Sequence, residues 1–126
     1  MVIVLDTSVV IEFERENEKI IKKLADLRNK ISIEPVITSA VYSELITGYL
    51  KKNKKVPFFI SQFEIINFDK NAAEIFAKKK KELEIKGKMI PLFDLITASC
   101  AISNNAILVT VDKHFKNVHG LKKIIL

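Results

Sequence analysis

The sequence has little of what most cofactor sites and nucleophilic active sites require. Its 126 residues include three glycines, two histidines, one cysteine and no tryptophan. Because Gly48, Gly87 and Gly120 stand far apart, neither a phosphate-binding P-loop nor a dinucleotide-binding turn can be assembled. The nucleophile motif G-x-S-x-G is absent, and the histidines and cysteine lack zinc-ligand spacing. An enzyme with this sequence would have to rely on carboxylates.

The single cysteine and the lack of long apolar runs predict where the protein works. Cys100 cannot form an internal disulfide, and it lies in the apolar run 96–102, where a small buried side chain is expected. The apolar opening, residues 1–5, stops at Asp6, far short of a signal-peptide core or of the roughly 20 residues that cross a bilayer. We therefore expect a reducing, cytoplasmic setting and no membrane partner.

Length and charge predict one basic domain. The chain is 48% hydrophobic and 29% charged, and at this size folding removes roughly two thirds of the unfolded chain's surface from water. That burial supports a core without disulfides or a structural metal. Lys and Arg total 21 against 15 acidic residues, a net charge of +6. This excess suits a polyanionic partner or reflects solubility and growth temperature.

Apolar segments alternate with helical patterns along the chain. Residues 2–5 are apolar without polar alternation, which is typical of a strand covered on both faces in a parallel sheet. The further strands are predicted at 36–38, 64–68, 106–110 and 123–126. The helices are predicted from about 8, over 20–27, and at 39–50, 70–85 and 94–104, with a helical turn at 113–115. Strands separated by helices predict an α/β fold with right-handed crossovers.

Four acidic residues occupy positions where a site is expected. Asp6 directly follows the first strand and Asp112 lies within two residues of the end of the fourth, and ligands bind at the carboxyl ends of parallel strands. Asp94 opens an otherwise apolar helix, and Glu44 lies in mid-helix with small residues one turn away on either side. Each has an ordinary alternative. The aspartates can cap helices or form an Asx turn, and Glu44 can be a solvated helix residue.

Together with their neighbours, these acids resemble a known family. The segments that carry the resemblance are LDTSVVI at 5–11, VYSEL at 41–45, FDLITASCAI at 93–102 and VTVDKHF at 109–115. In order and spacing they are similar to the four motifs of the PIN domain, and more narrowly to the VapC-type ribonuclease toxins of prokaryotic toxin and antitoxin pairs. The resemblance covers essentially the whole chain. One departure is Thr97, where the family more often has alanine.

The resemblance implies both a fold and an activity. The fold is a PIN-like three-layer α/β arrangement with a mostly parallel central sheet of four to five strands flanked by helices, in a single PIN domain spanning residues 1–126. The activity is that of a divalent-metal-dependent endoribonuclease, with an RNA substrate, a cognate antitoxin and a homodimer partner. The catalytic acids carried over are Asp6, Glu44, Asp94 and Asp112, and the supporting hydroxyls are Thr7, Ser8 and Thr110.

Four clustered carboxylates require a cation. At an effective dielectric near 20, two such charges about 4 Å apart repel by about 4 kcal/mol. All-oxygen ligands with retained waters favour Mg²⁺ or Mn²⁺ over zinc. We assign Asp6, Asp94 and Asp112 to the metal or to metal-bound water, and Glu44 to orienting or deprotonating the attacking water. The hydroxyls are expected to act as hydrogen-bonding supports.

The remaining charge suits a phosphate backbone. Setting the four acids aside leaves 11 acidic against 21 basic residues. The candidate RNA contacts are Lys51, Lys52, Lys54 and Lys55, and the lysine run 78–81 is a second candidate that is also typical of a solvated helix face. The glutamates at alternate positions from 12 to 18 are either exposed or a contact for a basic partner.

Two other functions fit parts of this pattern. A PIN-like module that binds RNA or an assembly partner without cutting needs the same fold, but the presence of all four acids counts against it. A phosphoacceptor domain also places acids at strand ends. That domain needs paired acids just after the first strand, where Asp6 is followed by Thr7 and Ser8.

Overall fold

Five short strands form the centre of the fold in a computed structural model of the chain, which describes residues 2–31 and 34–126. The strands form two hydrogen-bonded groups. The first group contains β1 (Ile3–Leu5), β4 (Ile107–Thr110) and β5 (Lys122–Ile125), paired in the order β1-β4-β5. The second pair is β2 (Ile37–Thr38) with β3 (Ile65–Ile66). All of these pairings are parallel.

Val36 joins the two groups into one continuous arrangement. Leu5 N donates to Val36 O at 2.9 Å, and Val36 N donates to Ile3 O at 2.8 Å. A parallel bridge between Val4 and Val36 accompanies these bonds. The resulting spatial order is β3-β2-β1-β4-β5, so the carboxyl ends of all five strands lie at one edge. The predicted parallel α/β sheet is confirmed.

Helices connect the strands close to the predicted positions. Their bounds are α1 Thr7–Glu14, α2 Glu18–Ile31, α3 Ser39–Lys51, α4 Phe58–Ser61, α5 Lys70–Lys86 and α6 Leu92–Ser103, with a 3-10 helix at Lys113–Asn117. Thr38 caps α3 by accepting a hydrogen bond from Val41 N at 3.1 Å. Gly87 ends α5 with a φ of 65°, a left-handed conformation that glycine adopts without a steric cost.

The core has two parts, one on each face of the sheet. Ile3 and Leu5 of β1 pack in the cluster that includes Val9 of α1 and Val41 of α3. Val4 points to the opposite face and packs in the cluster formed with α5 and α6. Helices therefore cover both faces, which gives the predicted three layers. Across the residues that the structure describes, every helix is too short or too polar to span a membrane.

Two residues noted in the sequence lie on the buried side of α6. Cys100 is fully buried, as expected for a small apolar side chain, and burial raises the pKa of its thiol to about 11. Thr97 is also buried, and its Oγ1 lies 3.0 Å from Thr38 Oγ1. The extra hydroxyl at position 97 is thus paired with a second buried hydroxyl, which accommodates threonine where alanine is more usual.

Candidate active site

The fold places the four acidic residues at the carboxyl edge of the sheet. Asp6 follows β1 directly, and Asp112 lies two residues beyond the end of β4. Asp94 lies in the first turn of α6, and Glu44 lies in the middle of α3. The four groups are close enough for their charges to interact. Burial is the largest cause of the raised pKa of Glu44, and the charges of Asp6 and Asp112 raise it further. Burial is also the largest cause of the raised pKa of Asp94, to which the charges of Asp6 and Glu44 add. The structure therefore brings the four predicted residues together.

The four acidic side chains do not act as helix caps or as solvated helix residues, which were the alternatives that the sequence left open. Asp6 and Asp112 occupy N-cap positions, but neither side chain makes a capping hydrogen bond. Asp94 follows the N-cap residue Pro91 by three positions. Glu44 is half-buried and accepts a hydrogen bond from Thr7 Oγ1 at 2.8 Å, so it is not a freely solvated helix residue.

Asp6 is the most deeply buried of the four, with 1% of its surface exposed. Its Oδ2 accepts hydrogen bonds from Ser8 Oγ at 2.8 Å and from Thr110 Oγ1 at 2.9 Å. Its Oδ1 is buried and accepts no hydrogen bond from any residue in the described ranges. Burial raises the pKa of Asp6, while the Ser8 and Thr110 hydroxyls lower it. An unpaired buried carboxylate oxygen is costly unless a cation or water satisfies it.

The three predicted supporting hydroxyls all contact the acids or the backbone that carries them. Thr7 donates to Glu44, and Ser8 and Thr110 both donate to Asp6. Thr110 Oγ1 also accepts from Asp112 N at 3.0 Å, which links the end of β4 to Asp6. These bonds fix the orientation of Asp6 and Glu44 and tie the loop after β4 to the loop after β1.

His114 is a site residue that the sequence reasoning missed. Its Nε2 lies 2.8 Å from Asp94 Oδ2, and the ligand atoms of Asp94, Asp112 and His114 all lie within 4.8 Å of one another. The spacing of the two histidines is wrong for a zinc site, so the sequence alone does not mark His114 as a ligand. The available signal was the position of His114 two residues after Asp112, which lets both side chains face the same edge. The donors, carboxylate oxygens with one imidazole nitrogen, suit a divalent cation.

The four lysines predicted to contact RNA fall into two pairs. Lys52 and Lys54 line a pocket that also contains Glu44, whereas Lys51 and Lys55 are exposed outside that lining. In the second lysine run, Lys80 lies 2.9 Å from Glu84 on the same face of α5. That pairing is typical of a solvated helix surface.

The raised pKa of Asp94 predicts a pH-dependent stability of the metal-free protein. Burial, followed by the Asp6 charge, raises this pKa from 3.8 to about 6, although His114 opposes the shift. Because the folded state holds the proton more tightly than the unfolded chain, the stability that this group contributes is complete below pH 3.8 and is lost as the pH rises through about 6. At about 1.36 kcal/mol per pKa unit, the loss is at most about 3 kcal/mol.

The measurement is the melting temperature in EDTA at pH 5 and at pH 7.5. Wild-type protein should lose more stability over this interval than Asp94→Asn. The control is Asp26→Asn, which changes an exposed aspartate of α2 and should behave like wild type. Equal pH profiles for wild type and Asp94→Asn would contradict this electrostatic description of Asp94.

Comparison with known proteins places the chain in a family. The family model of the PIN domain matches residues 3–121. The Ribonuclease VapC2 of Rickettsia felis is 34% identical over 129 aligned positions, which cover 96% of this chain and 95% of that protein. The match extends over all four motif segments, from residue 5 to residue 115.

Solved structures show the same similarity in three dimensions. VapBC2 from Rickettsia felis, bound to a DNA fragment from its promoter, superposes with a TM-score of 0.86 and 31% identity, covering 100% of this chain and 99% of that one. VapBC-5 from Mycobacterium tuberculosis, a member of the VapBC family of toxin-antitoxin systems, shares the fold with a TM-score of 0.70 and 22% identity, covering 98% and 97% of the two chains. The chain belongs to the PIN domain family, among its VapC-type members.

Proposed function

We propose that this protein is a divalent-metal-dependent endoribonuclease that acts as the toxin of a toxin and antitoxin pair in the cytoplasm. The observation that carries the proposal is the buried Asp6, whose Oδ1 has no hydrogen-bond donor among the described residues and which lies beside three further acidic groups. The similarity to a ribonuclease over 96% of the chain supports RNA as the substrate. A module that binds RNA without cutting it has no need of four clustered carboxylates, whose mutual repulsion and burial destabilise the fold.

The residues proposed to hold the metal are Asp6, Asp94 and Asp112, with His114 as an additional nitrogen donor beside Asp94. Mg²⁺ and Mn²⁺ are the proposed ions, because carboxylate oxygens dominate the donor set. When bound, such an ion neutralises the carboxylates and the scissile phosphate and lowers the pKa of bound water. The role of Ser8 and Thr110 is to hold Asp6 by its Oδ2, which leaves Oδ1 for the ion.

Glu44 is the proposed group that orients the attacking water and receives its proton. Thr7 occupies Oε1 of this carboxylate, which leaves Oε2 for a water molecule. Burial raises the pKa of Glu44 and the charges of Asp6 and Asp112 raise it further, which makes it a better proton acceptor near neutral pH. Attack of the water on phosphorus forms one P–O bond and breaks another, and the leaving oxygen takes up a proton from water. One RNA fragment therefore ends in a phosphate and the other in a hydroxyl.

The experiment that tests this function is cleavage of a mixed single-stranded RNA pool, followed on a gel with EDTA, Mg²⁺ and Mn²⁺ lanes. We expect fragments in the metal lanes and intact RNA in EDTA. Cleavage that continues in EDTA would overturn the metal-dependent mechanism. Binding without cleavage under every metal condition would favour the silent RNA-binding module.

An apolar groove between α1, α2 and α4 is the proposed binding surface for the antitoxin. Its volume is about 630 Å³. Phe13, Phe59 and Phe63 form a row along it, with successive ring centroids 6.3 Å and 6.4 Å apart in edge-to-face contacts. Phe13 and Phe59 are 46% and 39% exposed, and neighbouring exposed aromatic side chains that form one apolar patch mark an interaction site. The VapBC assemblies among its structural relatives support an antitoxin as that partner.

The glutamates near this groove have different surroundings. Glu12 accepts a hydrogen bond from Asn17 at 2.8 Å, and Glu14 accepts one from the Tyr49 hydroxyl, so both are occupied within the chain. Glu16 and Glu18 are exposed. These two are the acidic residues that remain available for a basic segment of the partner.

Phe59→Glu is expected to weaken antitoxin binding by roughly 30-fold or more, because a buried aromatic anchor contributes about 2 kcal/mol or more to an interface. The matched control is Phe58→Glu, since Phe58 is 78% exposed and does not line the groove. The measurement is titration of the purified protein with the candidate antitoxin, a short DNA-binding protein that we expect the neighbouring reading frame to encode. Equal affinities of the two variants would exclude this groove as the antitoxin site.

A further inference from the structure

A separate, smaller pocket adjoins Glu44 between α1 and the end of α3. Its volume is about 260 Å³, and its lining includes Arg15, Glu44, Gly48 and Tyr49. We propose that this pocket binds one nucleotide of single-stranded RNA, next to the phosphodiester that is cut. This inference rests on the proposed nuclease function, because Glu44 belongs both to the carboxylate cluster and to the pocket wall. The pocket thus extends the site along the substrate.

Three cations at the pocket are available for an RNA phosphate. Lys52 and Lys54 line it, and in the part of the chain that the structure describes neither makes an ion pair within 4.0 Å. Arg15 has only a long contact with Glu12, 3.5 Å, and 69% of its side chain is exposed. Contacts of this kind position a nucleic-acid backbone without reading its sequence.

The chain reversal after α3 fixes the two lysines beside Tyr49. Lys54 N donates to Tyr49 O at 2.9 Å, and Asn53 N donates to Leu50 O at 3.1 Å. Asn53 has a φ of 52°, so these bonds form the Schellman arrangement with asparagine in the left-handed position. The bonds occupy two of the free carbonyls at the helix end, and the lysines offset the negative end of the helix dipole.

Gly48 keeps the pocket open. A Cβ at this position would meet no atom within 4 Å, and its backbone has ordinary helical geometry, so the conformation does not require glycine. Glycine in a helix interior costs roughly 0.5 to 1 kcal/mol relative to alanine. The missing side chain leaves space one turn beyond Glu44 on the same face of α3.

The shape and walls of the pocket favour a single nucleotide. Ile11 and the Tyr49 ring supply apolar surface, and the Tyr49 hydroxyl is held by Glu14. The volume of about 260 Å³ lies near the lower end of the roughly 300 to 1,000 Å³ of known ligand sites, so the pocket has room for one nucleotide and not for several. A base can enter such a space only when it is unstacked, as it is in single strands and not in a duplex.

The first test compares two lysine pairs of equal charge. Lys52→Gln with Lys54→Gln removes the pocket cations, and Lys51→Gln with Lys55→Gln is the control outside the pocket. Binding is measured by fluorescence anisotropy with a labelled single-stranded RNA that carries hydrolysis-resistant phosphorothioate linkages. At about 0.7 per lost phosphate contact, the slope of log affinity against log salt should fall by about 1.4 in the pocket pair. We expect a much smaller change of slope in the control pair. Equal changes of slope in both pairs would overturn the proposal that this pocket binds RNA.

The second test fills the pocket without changing charge. Gly48→Leu should raise the KM for single-stranded RNA by a larger factor than it changes kcat or the metal-dependent hydrolysis of bis(p-nitrophenyl) phosphate. Gly48→Ala is the control and should fold with equal or greater stability. An unchanged KM in a folded Gly48→Leu protein would overturn the inference. If the wild-type protein hydrolyses neither substrate, the proposed nuclease function is refuted. The anisotropy comparison would still test whether the pocket binds RNA.

Discussion

Asp6→Asn should reduce RNA cleavage by about 100-fold or more and leave most RNA binding intact. Residues that merely support a metal ligand cost about 10-fold to 100-fold when they are changed, and a direct ligand should cost at least as much. Asparagine keeps the shape of the side chain and can still accept the hydrogen bonds from Ser8 and Thr110. It removes the negative charge that the proposed metal site requires, whereas the basic residues that contact the RNA backbone are unchanged.

The measurement is the initial rate of cleavage with saturating Mn²⁺, alongside anisotropy binding of the same RNA in noncleavable form. Asp26→Asn is the matched control, because it makes the same substitution at an exposed position on α2. Full activity of a pure Asp6→Asn preparation would show that the reaction centre lies elsewhere. Loss of RNA binding together with activity would assign Asp6 to RNA binding instead of to cleavage.

Mg²⁺ or Mn²⁺ should raise the melting temperature of the wild-type protein. An ion that relieves repulsion among the acids binds the native state and has no comparable site in the unfolded chain. At 100 times its dissociation constant, such an ion stabilises the protein by about 2.7 kcal/mol. At roughly 4 °C per kcal/mol for a chain of this size, the melting temperature should rise by roughly 10 °C.

Asp94→Asn should remove most of this gain, because a carboxylate oxygen of Asp94 lies within 4.8 Å of ligand atoms of both Asp112 and His114, close enough for one ion to bind all three. The variant should be at least as stable as wild type without metal at pH 7.5, since it removes a buried charge from a cluster of acids. Thermal unfolding in EDTA and in millimolar metal measures both effects. An identical rise in wild type and Asp94→Asn would place the ion elsewhere.

The strands, the helices and their parallel order could be predicted because each depends on local patterns. The apolar residues at 2–5 and 106–110 have no polar alternation, as expected for strands covered on both faces, and β1 and β4 do pair in parallel. Residues 58–63 show no clear helical or strand period in the sequence, and in the structure they contain the single-turn helix α4. A segment that short has too few residues for a periodic pattern to develop.

The acidic residues of the site could be predicted from the sequence, but the contacts that their side chains make could not. From the local sequence, Asp6 is equally a helix cap, and only the fold shows that its side chain accepts from Thr110, 104 residues away, instead of capping α1. His114 was missed for a related reason. Its contact with Asp94 joins α6 to the turn after β4, and such a pairing depends on tertiary packing that no local spacing reports.

The pocket beside Glu44 was equally hidden from sequence reasoning. Four lysines in one basic run look equivalent in the sequence, yet only Lys52 and Lys54 line the pocket. The left-handed Asn53 separates them and turns the chain back on α3. Gly48 is one of the small residues one turn from Glu44, and only the structure shows that an added Cβ there would meet open space.

The most direct test of the central claim is the anomalous difference map of a crystal soaked in Mn²⁺. We predict density within about 2.5 Å of carboxylate oxygens of Asp94 and Asp112 or of the free Oδ1 of Asp6, since oxygen ligands of such ions lie at about 2.0 to 2.6 Å. Strong Mn²⁺ density only at other surface carboxylates, with the side chains of the cluster well ordered and without an ion, would contradict a metal-dependent nuclease centred on these acids.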